Sequence, residues 1–289
     1  MTRARRWQIL ALAALAVVTV ILVVWSIPDS RGPQVVGTPA PAPVVTTATS
    51  PSAVETTQSP SIPAPSTPAP SATKSPTPAG LAGVAQLLDD DASMSVLVVG
   101  DGSGDGASEW VQLWARDHLS ADRQAQYRTW DNNSSAWGKA ITTGKGAKVA
   151  VWNASTASPN LAKEAKRLAK VWKPADVVIL SYGHRGNPTS IAGQLDDLRK
   201  AVEGQNPEAI MIVMIQNPDP VATQANQAAT TKAVKAWAKK HDLDTVNLYD
   251  AFVNDPSPRY QLVTSDGSPT PLGSALWART LAEAIKKAG

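Results

Sequence analysis

The sequence predicts an α/β fold: a three-layer α/β/α sandwich around a mostly parallel, five-stranded sheet, within residues 81–289. Two observations carry this. Short runs that are apolar throughout, such as Val96–Val99 and Val177–Leu180, alternate with longer segments of helical period. Strands apolar on every residue are covered on both faces, which is how parallel sheets are built. The first run also stops at a glycine and opens into the acidic loop Gly100-Asp101-Gly102-Ser103-Gly104-Asp105-Gly106 before a helical stretch. Strand, glycine turn and helix is how such a domain begins, and it places a loop at the carboxyl end of a strand, where open α/β sheets keep their sites.

Ahead of that domain the composition changes twice. Residues Ile9 to Ile27 are almost wholly apolar, with Trp7 and Trp25 at the two ends and Arg3, Arg5 and Arg6 before them. At about 1.5 Å per residue the run nearly crosses a hydrocarbon core of roughly 30 Å. Indoles favour the interface, and the arginines favour the cytoplasmic side. Residues 1–30 therefore read as a signal anchor in the cytoplasmic membrane, with the remainder extracytoplasmic. A cleaved signal peptide fits less well, because the run is long and no Ala-x-Ala follows it. Residues 31–80 hold twelve prolines from Pro33 to Pro78, and their only charges after Arg31 are Glu55 and Lys74. Proline blocks both helix and ladder, so this stretch is expected to be a disordered, extended spacer.

Within the domain, strands are expected at Ser95–Val99, Lys148–Trp152, Asp176–Ser181 and Ala209–Gln216. A weaker one is read at Thr245–Tyr249, and Gln126–Trp130 could be another. Helices are expected near 107–119, 160–171, 189–204, 221–240 and 272–287. The clearest follows Asn187-Pro188: Ile191, Leu195, Leu198 and Val202 form one face, and Asp196, Asp197, Arg199 and Lys200 the other. Trp110, Trp114, Trp172, Trp237 and Trp277 fall at helical spacing and read as core. Trp130 and Trp137 instead flank the polar stretch Asp131–Ser135, an arrangement suited to stacking on sugar rings.

Composition narrows the chemistry. The net charge is +3 with no long basic stripe, which argues against nucleic acid. Cysteine is absent, which excludes disulfides, thiol catalysis and Cys-ligated metals. The histidines are three: His118, His184 and His241. Asp101-x-Ser103-x-Asp105-Gly106 has the early spacing of a calcium loop, but its twelfth position is Gln112, which cannot chelate through two carboxylate oxygens. No metal and no cofactor is expected.

Four stretches in order carry a resemblance. They are Val98-Val99-Gly100-Asp101, Leu180-Ser181-Tyr182-Gly183-His184, Gln216-Asn217-Pro218, and Asp266-Gly267-Ser268-Pro269-Thr270-Pro271-x-Gly273. Together they resemble the blocks of SGNH hydrolases (the GDSL-type esterases and lipases) over about residues 94–287, which implies a flavodoxin-like sandwich. In that family a Gly-Asp-Ser block supplies the nucleophile. A glycine and an asparagine donate to the oxyanion, and an Asp-x-x-His-Pro block supplies the base. A hydroxyl needs a base in hydrogen-bond reach, and the oxyanion needs fixed donors.

This sequence departs from the pattern at each of those points. Gly102 stands at the nucleophile position, with Ser103 one residue late. Trp152-Asn153-Ala154-Ser155 carries no glycine at the second block. Arg185 occupies the oxyanion-asparagine position, with Asn187 two residues on. Ser268 falls where the histidine belongs, with Asp266 one residue too close. Candidate catalytic residues are thus Asp101, Ser103, His184, Asp266 and Ser268, with Ser103–His184 the one substitute pair. Candidate oxyanion or ligand residues are Gly102, Asn153, Gly183, Arg185, Asn187 and Trp130. A positioned base contributes roughly 10²–10⁴-fold, so its loss favours a weak or inactive relative that binds a glycan or an acylated cell-envelope component. The alternative is an active carboxyl-ester hydrolase using Ser103.

Overall fold

The computed structural model describes residues 79–157, 159–184, 186–219 and 224–289. The expected anchor, nearly all of the expected linker, and Arg185 lie outside the described residues. Among the described residues no helix is long and apolar enough to cross a membrane.

The elements run in chain order as α1 (Gly80–Asp89), β1 (Met94–Gly100), α2 (Trp110–Leu113), β2 (Gln124–Asp131), β3 (Ala136–Trp137), β4 (Ile141–Thr143) and β5 (Lys148–Asn153). There follow α3 (Leu161–Val171), β6 (Val177–Ser181), α4 (Ile191–Gln205), β7 (Ile210–Ile215), α5 (Gln224–Lys240) and β8 (Asp244–Asn247). The chain closes with α6 (Leu248–Asn254), α7 (Arg259–Leu262) and α8 (Pro271–Ala288).

The sheet has eight strands, not five. Its order is β3-β2-β5-β1-β6-β7-β8, and β4 pairs with β2. The five expected strands all form, are parallel, and take the order 2-1-3-4-5 when numbered among themselves. Strand β2 extends the parallel set beyond β5, whereas β3 and β4 pair with β2 antiparallel. Strand β2 forms at the stretch read as a possible further strand, and β3 and β4 come from residues just after the polar stretch Asp131–Ser135, where no strand was expected. Only a few residues long, they carry too short a pattern for a period of two to register.

Residues on each central strand alternate between two buried faces. Val96 and Val98, Val177 and Ile179, and Ile212 and Met214 join one core. Leu97 and Val99, Val178 and Leu180, and Met211 and Val213 join the other. Helix α8 covers the first face with Trp277, Leu281 and Ile285, while α4 covers the second with Ile191, Leu195, Leu198 and Val202. The predicted helix at 107–119 is shorter and irregular: α2 continues as a π turn over Trp114–His118 and a 3₁₀ turn over Leu119–Ala121. Helices α1, α6 and α7 were not legible in the sequence.

Candidate functional site

In a doubly wound sheet of order 2-1-3-4-5 the crevice opens at the carboxyl ends of the strands where winding reverses, beside β1 and β6. A cavity of about 270 Å³ lies there. It is lined by Asp101 after β1, by Tyr182 and Gly183 after β6, by Asn160 just before α3, by Asn187 before α4, and by Gln194 in the first turn of α4.

Asp101 is 5% exposed and organises the loop. Its Oδ1 accepts the Ser103 backbone N–H at 3.1 Å and the Ser103 hydroxyl at 2.8 Å. Its Oδ2 accepts the Gln216 side-chain N–H at 2.7 Å. Gln216 Oε1 in turn accepts the His184 backbone N–H at 2.5 Å. His184 lies with Nδ1 3.9 Å from Asp101 Oδ2 and Nε2 3.9 Å from Asp219 Oδ1. Its Nε2 is 3.0 Å from the Asn217 carbonyl, so that nitrogen carries the proton and donates. The ring packs edge-on against Trp277, with centroids 6.4 Å apart.

The expected Ser103–His184 pair is therefore arranged around a third group. The hydroxyl of Ser103 is given to Asp101, and the serine is 3% exposed. The imidazole approaches the opposite oxygen of the same carboxylate. This forms an Asx-type turn capped by its own serine, a common use of Asp and Ser in tight loops.

The nucleophile position itself is closed. A Cβ on Gly102 would lie 2.9 Å from the Cα of Ala157, closer than side chains approach backbone. The segment that causes this is pinned from several directions. Ala154 N–H donates to the Val98 carbonyl at 2.8 Å, and Thr156 N–H to the Gly100 carbonyl at 3.1 Å. Arg167 Nη2 donates to the Ala154 carbonyl at 2.6 Å. Asn153 is fully buried, its amide donating to the Gly104 carbonyl at 2.6 Å and to the Tyr127 hydroxyl at 2.9 Å. Asn153 thus ties β5 to the glycine loop and does not face the cavity.

The remaining candidates separate into rim and periphery. Gly183 lines the cavity, and a Cβ there would sit 3.0 Å from Gln216 Oε1. Asn187 also lines it, but its Oδ1 accepts from Thr189 N at 3.0 Å and Thr189 Oγ1 at 2.7 Å, shaping the entry to α4. Asp266 and Ser268 share an exposed turn, in which Ser268 N–H donates to Asp266 Oδ1 at 3.3 Å. The Thr264 hydroxyl beside Asp266 holds its carboxyl below the usual range. Asn217 Nδ2 reaches the Gly267 carbonyl at 3.2 Å, so this turn abuts the His184 side of the site. Trp130 lies on the β2–β3 hairpin, paired across the strands with Trp137.

Sequence reasoning missed Gln216 as a site residue, although it bridges Asp101 and the His184 backbone. A buried amide following six apolar strand residues was the available signal. It also missed a buried trio under the cavity. Glu164 Oε2 accepts the Tyr182 hydroxyl at 2.8 Å, and Arg167 Nε donates to both Glu164 oxygens at 3.0 and 2.9 Å. Burial pushes the Tyr182 hydroxyl well above its ordinary value, and the Glu164 carboxylate adds to the shift. Burial likewise raises Asp105 and Glu109 in the opening loop, with like-charge repulsion adding to both.

No protein-family model matches the chain, and no curated protein matches it significantly. Solved structures do. A lipase/acylhydrolase from Enterococcus faecalis aligns at 18% identity with a TM-score of 0.50, over 67% of this chain and 96% of that one. A structure described as a peptidoglycan O-acetylesterase in action aligns at 11% identity with a TM-score of 0.55, over 72% and 95%. LAE5, an α/β hydrolase enzyme from the metagenome of Lake Arreo in Spain, aligns at 16% identity with a TM-score of 0.50, over 68% and 97%. At these identities the likeness is one of fold. The order of the sheet, the crevice beside β1 and these alignments agree: the described domain has the SGNH-hydrolase fold.

Proposed function

We propose that this chain is a membrane-tethered, extracytoplasmic SGNH-fold protein whose cleft binds a glycan or an acylated cell-envelope component with little or no acyl transfer. The observation that carries the reading is the closed position at Gly102, with Ser103 turned onto Asp101. Acyl transfer needs an exposed hydroxyl, a base that takes its proton, and donors aimed at the oxyanion. Here the hydroxyl is buried and gives its one proton to the Asp101 carboxylate, while the imidazole turns Nδ1 toward the other oxygen of that carboxylate, 3.9 Å away.

The cleft is nonetheless suited to a polar ligand of modest size. Asp101, Asn160, Asn187 and Gln194 bring polar side chains to a cavity that Leu161, Tyr182 and Ile191 make partly apolar. Such a mixture fits a sugar ring with its acetyl group, with polar contacts setting orientation and the apolar wall taking the methyl. The structural neighbour described as a peptidoglycan O-acetylesterase lends support to this ligand class.

The test is turnover of a short-chain acyl ester by the full chain, beside Ser103→Ala, His184→Ala and Gly102→Ser. The expected result is no turnover above the blank in any of them, with saturable binding of an acetylated chito-oligosaccharide by the unmodified chain. Gly102→Ser stays inactive because its side chain meets Ala157. Turnover by the unmodified chain that collapses in both alanine variants would establish the hydrolase alternative and overturn the proposal.

A further inference from the structure

Away from the cleft, one surface combines aromatic and cationic groups without a structural use for the charge. Helix α3 and the two residues after it carry Lys163, Lys166, Arg167, Lys170 and Lys173 against a single carboxylate, Glu164. Glu164 is 3% exposed and is taken by Arg167 at 2.8 Å, so it neutralises nothing on the outside. Lys163, Lys166 and Lys170 are exposed and recur at intervals of three and four, which places them on one face of the helix. From Lys163 to Lys170 that row is about 10 Å long at 1.5 Å per residue.

The row does not end in solvent. Lys173 places its ammonium 5.4 Å from the centre of the Trp152 ring, and Arg128 on β2 places its guanidinium 4.7 Å from the same ring. Trp152 is held edge-to-face by Trp137 at 5.1 Å, and Trp137 by Trp130 at 5.3 Å. All three indoles are half-buried. The surface is therefore a cationic row running into a locked indole platform. At the end of the row Lys173 and Arg128 both rest on the Trp152 ring, which fixes their head groups without neutralising them.

We infer that this surface binds an anionic polysaccharide, a sugar chain bearing carboxylate or phosphate groups. The lysine row supplies charge, and the indoles supply faces and edges for sugar rings. A membrane surface fits less well. Of the large apolar residues of α3, Leu168 and Val171 are buried and Leu161 packs part-buried against the same core, so the helix offers lysines with no apolar face to insert. The inference is independent of the cleft and holds whether or not the cleft turns over an ester.

The experiment measures binding of polygalacturonate, of dextran as a neutral chain, and of vesicles of phosphatidylcholine and phosphatidylglycerol in equal parts, all by the full chain. Variants are Lys166→Glu with Lys170→Glu, and separately Arg128→Gln. Both lysines are exposed, and an unchanged melting temperature verifies the fold. The expected result is saturable polygalacturonate binding, no dextran binding, and a loss of about tenfold or more in the double variant at low salt. A smaller loss is expected for Arg128→Gln. Absent polygalacturonate binding, affinity unchanged in the double variant, or vesicle binding that the double variant weakens more than it weakens polysaccharide binding would each overturn the inference.

Discussion

At Gly102 one backbone atom, the Cα of Ala157, bounds the loop. Ala157 leaves no room for a side chain there, and the next residue, Ser103, donates its hydroxyl to Asp101. The opening loop carries a further cost: Asp101, Asp105 and Glu109 share it, and burial raises the latter two. A carboxyl with a raised folded value binds its proton more tightly in the native state than in the unfolded one. Its penalty is absent below the ordinary glutamate value of 4.5 and grows as pH rises through the raised folded value. Glu109→Gln keeps an oxygen to accept the Gly106 N–H and removes the charge. The expected outcome in thermal melts is a higher melting temperature than the parent near pH 7 and no difference near pH 4. A gain that persists unchanged at the lower pH would mean the charge is not its source. Nothing in the bare sequence separates Asp101, which caps its own loop, from a catalytic carboxylate. Its role depends on Gln216 arriving from 115 positions away.

Among the elements, α8 connects the core to the site. Thr270 caps it by accepting the Gly273 N–H at 3.1 Å, Pro271 opens its first turn, and Gly273 passes so close to the Leu262 carbonyl that no side chain fits. Seven residues on, Trp277 stacks on Trp110 at 5.5 Å and meets the edge of His184. Thr270→Ala removes the cap and is expected to cost about 1 kcal/mol, or roughly 2–4 °C in melting temperature for a domain of this size. A loss well below that would show the cap to be replaced by solvent. This scale was the most legible in the sequence. The face Ile191, Leu195, Leu198 and Val202 is buried as its period implied, and the five apolar strands form. Strand β2 forms where Gln126–Trp130 was read as a possible further strand, but β3 and β4 were not legible, because two- and three-residue strands carry no period and Trp130–Trp137 pair across a turn. The π turn at Trp114–His118 was also hidden: its apolar spacing is that of an ordinary helix.

Across the described domain, two layers of helix enclose a sheet whose topology places a crevice beside β1, and at its edge Gly102 abuts Ala157 while Ser103 bonds Asp101. The four resembling blocks fall on the elements the sequence assigned them, so the fold was readable from motif order. The state of the site was readable only in part. The departures from the Gly-Asp-Ser and Asp-x-x-His-Pro blocks were visible, whereas the close approach at Gly102 depends on a contact between the loops after β1 and β5, 55 residues apart. The most direct measurement of this account is reaction of the full chain with a fluorophosphonate that phosphonylates activated serines, read by intact mass. The account predicts no adduct on the native protein. An adduct of one equivalent, mapped to Ser103 and lost in His184→Ala, would contradict it.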